Sequence, residues 1–90
     1  MEQVFEVTDI FEITNKGCFA VGIVAKGTFC IGDAVKIIRD DKIVKLTSIL
    51  NIELVNWGSC NTYREDITAF RLSDVWKEDI FVGDIIVNDQ

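Results

Sequence analysis

The sequence predicts an all-β domain whose sheet closes as a barrel or packs as a sandwich. Three observations carry this. Apolar and polar residues alternate over short runs, close to a period of two rather than the helical spacing of three and four. Val, Ile, Thr and Phe dominate those runs, and they suit a pleated, half-buried surface. Clusters of Gly, Asn and Asp separate the runs at short intervals, the punctuation of an all-β fold.

The elements follow in order. "VFEVTDIFEIT" predicts a strand from Val4 to Thr14, with a bulge near Asp9 where the alternation slips. Asn15-Lys16-Gly17 reads as a hairpin turn, because Asn and Gly accept positive φ. Phe19 to Lys26 is the return strand. Gly22 inside it marks a bend or the close approach of another backbone. Lys26-Gly27 ends that strand, and "GTFCIGD" is an exposed loop leading through Gly32-Asp33 into a strand at Val35–Ile38. "RDDK", residues 39–42, is a polar turn. "IVKLTSILNIEL" follows as a strand, with Val44 and Leu46 on one face and Lys45 and Thr47 on the other. Residues 55–66 read as a loop, and "ITAFRLSDV" as another strand. "WKEDIFVGD" reads as a single helical turn capped at Gly83, before the closing strand "DIIV".

Composition narrows the function. The chain has 90 residues, 49% of them hydrophobic, which suits one domain spanning residues 1–90. There is no Pro and no stretch that reads as a flexible linker. No window approaches the roughly 18 unbroken apolar residues of a membrane helix. The start "MEQVFEV" lacks the basic and apolar regions of a signal peptide, so the expected location is cytoplasmic, with no membrane partner. Cys18, Cys30 and Cys60 are odd in number and form no CxxC pair, and His is absent, so free packed thiols are expected and no metal. The net charge is −6, and residues 51–90 hold eight acids against three bases. Such a field repels nucleic acid, whose binding rests on basic faces and counterion release.

Catalysis finds little to work with. Without His, a Cys nucleophile lacks its usual partner and a general base must be a carboxylate or a shifted Lys. Glu78-Asp79 would point apart on a helical turn, and Asp40-Asp41 sit in a turn. "GTFCIGDA" lacks the Lys-Ser/Thr of a phosphate loop, so no GTP and no other cofactor is expected.

Two blocks carry a family resemblance. "FEITNKGCFAVGIVAKGTFCIGDAVKII" resembles the opening of the second domain of translational GTPases such as elongation factor Tu, and "VWKEDIFVGDIIV" is similar to that domain's closing turn and strand. Between them, residues 65–69 read "EDITA" where the family has Gly-Asp-x-x-Gly. The resemblance implies a single closed Greek-key β-barrel of about six strands with one short helical turn, freestanding from the GTPase domain. Gly17, Gly22, Gly27, Gly32, Asp33 and Gly83 then serve as corners and turns. In the family this barrel works by contact with other domains and partners, which implies a non-enzymatic module acting through protein–protein contacts, possible partners including a second copy.

Aromatic anchors are the usual centre of such contacts. Trp57, in the irregular loop, and Trp76 and Phe81, around the acidic turn, are the candidates, and Phe19 and Phe29 are expected to be partly exposed. The alternative is an RNA- or ribosome-binding accessory factor that uses the basic hairpin Lys36, Arg39, Lys42 and Lys45.

Overall fold

The structure is a computed structural model that describes residues 3–15, 17–55 and 67–89. Six strands occur in it: β1 (Val4–Ile13), β2 (Gly17–Lys26), β3 (Ala34–Arg39), β4 (Lys42–Val55), β5 (Ile67–Leu72) and β6 (Ile85–Asn88). Every pairing is antiparallel, and the sheet closes in the order β1-β2-β5-β4-β3-β6. Strands β3, β4 and β5 are neighbours in sequence and in space, and β6 returns to lie beside β3, which is Greek-key topology.

The period-two alternation decides what fills the barrel. Phe5 and Val7, Cys18 and Ala20, Val35 and Ile37, Phe70 and Leu72 sit two apart on their strands and share the buried core. Phe5 stacks on Phe70 with ring centroids 4.2 Å apart, and Phe29 lies 5.1 Å from Phe70. Phe29 therefore reaches inward from the β2–β3 connection, a correction to its expected partial exposure, while Thr28, Cys30 and Ile31 of the "GTFCIGD" loop are exposed. Phe19 is buried too, on the outer face of β2 beside Val21 and Ala69. Neither Phe is available as a surface contact.

Two irregularities let β1 take part in the closure. Its register with β2 slips between Val7 and Asp9, the bulge that the slipped alternation predicts. Opposite that region Gly22 carries no side chain. A Cβ there would lie 1.8 Å from the Glu6 carbonyl oxygen and 3.1 Å from the Phe5 ring. The two backbones approach because nothing stands between them.

The expected helical turn after β5 does not form. Two successive tight turns stand there instead. Asp79 N–H donates to the Trp76 carbonyl at 2.8 Å, and Asp84 N–H to the Phe81 carbonyl at 3.0 Å. In each, the aspartate carboxylate accepts the N–H of the residue three before it: Trp76 at 2.9 Å and Phe81 at 2.9 Å. Side-chain oxygens that take backbone donors compete with helix bonds. Between the turns Ile80 is fully buried, which pins the chain to the core. Gly83, at φ +98°, serves the second turn rather than capping a helix. The same device closes the β2–β3 connection, where Cys30 N–H donates to the Asp33 carboxylate at 2.8 Å.

Candidate functional site

One end of the barrel is hollowed into a groove of about 630 Å³. The β1–β2 hairpin forms one wall, and the bulge of β4 and the end of β5 with its following turn form the other. Ile13, Leu50, Leu72, Val75 and Trp76 supply its apolar surface. Glu12, Arg71 and Asp74 put charge on its rim. Trp76 is 56% exposed although its neighbour Val75 is buried. The turn explains this: Asp79 holds the Trp76 backbone, Val75 and Ile80 enter the core, and the indole between them is left outside.

Phe81, the second aromatic candidate, is 51% exposed. Its ring is held from one side, with the Arg39 guanidinium 4.1 Å from its centroid, a cation–π contact. Trp57 lies outside the described residues, as do Lys16 and Cys60.

The basic hairpin has a different fate from the one its composition suggests. Arg39 Nε and Nη2 donate to both oxygens of Asp84 at 2.8 and 2.7 Å. Asp84 is almost wholly buried, so this is a bidentate ion pair inside the wall of the fold. Lys45 Nζ pairs with Asp79 at 3.1 Å. It pairs across the ladder with the buried Ile37, so its side chain is on the barrel's inner face. Thr47 likewise turns inward and donates to the Ser73 carbonyl. Val44 and Leu46 are the residues that face out, both exposed. Arg39 and Lys45 thus hold the β5–β6 turns in place. Lys36 and Lys42 form no ion pair among the described residues.

Sequence reasoning missed the role of the aspartates. The signal was present as a repeated spacing, an aspartate three residues after Cys30, Trp76 and Phe81. Asp79 is held below the usual carboxylate range, first by the Trp76 N–H and then by Lys45. A lowered folded-state value adds stability above the ordinary aspartate value of 3.8, and that stability is lost as pH falls through the folded value. We expect Asp79→Asn to lower the melting temperature at neutral pH, with the gap to the parent narrowing below about pH 4. Thermal melts across that range check it; a gap that stays constant would refute the assignment. The Cys18 thiol is pushed up by its burial, with Glu12 the next cause. It is therefore a packing group rather than a nucleophile. Among the described residues no three His, Cys, Asp or Glu side chains converge as metal ligands.

No family model matches the chain. A curated relative does: over 80 residues the chain is 31% identical to the apicoplast elongation factor Tu of Theileria parva. The chain resembles a β-barrel piece of elongation factor Tu. The match takes in 89% of this chain and 19% of that relative's length, so a domain-sized part of the larger protein is compared. The six-stranded antiparallel barrel fits the second, β-barrel domain of elongation factor Tu. Three glycines stand at tight places in the barrel. Gly17 sits at the first hairpin, Gly22 at the closest approach of β1 and β2, and Gly83 in the last turn. No helix among the described residues is long and apolar enough to cross a membrane.

Proposed function

We propose that this elongation factor Tu-like barrel is a cytoplasmic, translation-associated binding module that acts through protein–protein contacts and carries out no catalysis. One observation supports this most: an indole, Trp76, stands exposed on the rim of an apolar groove. Exposed aromatics beside a pocket are the usual anchors of interfaces, and Trp is the side chain most often found at their energetic centre. Phe81 is a second exposed aromatic, already ordered by Arg39, so little freedom is lost when a partner covers it. The similarity to part of a translation factor supports the translational setting. The RNA alternative keeps fewer cations than its composition promised, since Arg39 and Lys45 are engaged by Asp84 and Asp79.

The test uses the chain as bait in lysate from its native cell, with the recovered partner then purified and titrated. Trp76→Ala should weaken the purified complex by about tenfold or more, the scale of an aromatic anchor. Affinity should change little between low and physiological salt. A complex indifferent to Trp76→Ala, steeply salt-dependent and abolished by Lys36→Glu with Lys42→Glu would instead establish the nucleic-acid alternative.

A further inference from the structure

Although the barrel is closed, one of its strands outruns its neighbour. β6 pairs with β1 only at Val4–Glu6, and Gly83 and Asp84 extend that contact as far as Val7. From Asp9 to Ile13, β1 is paired with β2 on one side and with no strand on the other, among the described residues. Val7 bonds to Gly83 and Asp84 on the edge away from β2, and the one extra residue between Val7 and Asp9 passes that direction on to the Ile10 N–H, which donates to the Asp9 carboxylate at 2.8 Å. That N–H therefore points to the open edge. Backbone groups alternate in direction along an antiparallel strand, so those of Glu12 point the same way. On the outer face of this stretch Phe11 and Ile13 are about half exposed, while Ile10 packs inward against the core. Glu12 pairs across the ladder with Cys18, a core residue, and so lies on the inner face, where it enters the groove rim with Asp74.

We propose that the β1 edge from Asp9 to Ile13 accepts an extended segment of a partner protein as an added strand, and that this segment alternates basic with apolar residues. The proposal rests on the binding-module reading and names the partner's chemistry. An open strand edge supplies main-chain hydrogen bonds, and the side chains flanking it set specificity. An incoming strand places alternate side chains on opposite faces. Those on the outer face meet Phe11 and Ile13. Those on the inner face meet Glu12, where Lys or Arg is favoured by opposite charge. A second copy of this chain is a poor occupant. Paired antiparallel along this edge, its own β1 sets Glu12 opposite Glu12 or Ile10, and neither brings a cation to the carboxylate.

The experiment is an amide NMR titration of the intact chain with a blocked peptide that alternates lysine and valine. Controls are the same peptide with glutamate for lysine, and the lysine peptide N-methylated at alternate residues. The shifts should concentrate at Ile10–Ile13, and exchange of the Glu12 amide should slow by about tenfold or more as its N–H becomes paired. Glu12→Lys, a change at an exposed position, should weaken the lysine peptide by about tenfold and let the glutamate peptide bind. N-methylation on the edge-facing side should abolish binding. Equal binding of the methylated peptide, shifts centred elsewhere, or no response to Glu12→Lys overturns strand addition. If the peptide fails while Trp76→Ala still breaks the native complex, strand addition is overturned and the binding-module reading stands.

Discussion

Gly22→Ala is expected to be among the most damaging single substitutions in this barrel. The added methyl would sit 1.8 Å from the Glu6 carbonyl oxygen and 2.8 Å from the carbonyl carbon. Both are backbone atoms of a paired strand, so no side-chain rotation relieves the overlap. The strands must separate, and the Phe5 ring behind them at 3.1 Å must shift as well. Overpacking usually costs about 1–3 kcal/mol, and a clash with backbone belongs at or above the top of that range. A domain of this size has only about 5–10 kcal/mol in total, so the melting temperature should fall by more than about 10 °C. Gly17→Ala is the control. It meets no atom within 4 Å, but its φ of +96° is disfavoured for a side chain, so it should cost only about 1–2 kcal/mol. Chemical denaturation of the two variants decides the matter. If Gly22→Ala were as mild as Gly17→Ala, the close approach of β1 and β2 would not be what requires glycine.

Arg39→Met should produce the second large loss. Asp84 is only 2% exposed and has its two oxygens bound by Arg39 and by the Phe81 N–H. Removing one member of a buried ion pair typically costs about 3–5 kcal/mol, because the remaining charge has no counterion. Arg39 is itself 29% exposed, so water reaches the pair and the effect belongs toward the low end. The informative comparison is the double substitution Arg39→Met with Asp84→Asn. It keeps an acceptor for Phe81 while removing both charges, and it should recover much of the loss. A double variant as unstable as Arg39→Met alone would show that the stranded carboxylate was not the cause. Loosening of the Phe81 turn should accompany the single variant, since the ring loses its guanidinium partner.

These two sites show what kind of information sequence carries. The exception in β2 was visible as a glycine inside an apolar strand, where only a bend or a close backbone approach makes sense. The bulge near Asp9 was visible as a slip in alternation, and the β3–β4 turn as a run of Asp. In contrast, Arg39 and Asp84 are 45 residues apart, and nothing local joins them. Arg39 and Lys45 looked like one basic patch because sequence shows charge but not which carboxylate folds beside it. The acidic turn looked helical for the same reason: its spacing suits one helical turn, and only the docking of Ile80 into the core selects two tight turns. The groove was legible only through Trp76. Its other members, Ile13, Leu50 and Leu72, come from three strands that closure brings to one end.

By itself, the sequence determined the strand count, the all-β class and the likeness to an elongation factor Tu barrel. Those follow from period, turn chemistry and ordered motifs, which are properties of neighbouring residues. Tertiary structure alone decided which charges are consumed inside the fold, which aromatics remain outside, and where a strand edge stays open. The physical reason is that ion pairing, burial and edge exposure depend on contacts between residues far apart in the chain, and those contacts exist only once the sheet has closed.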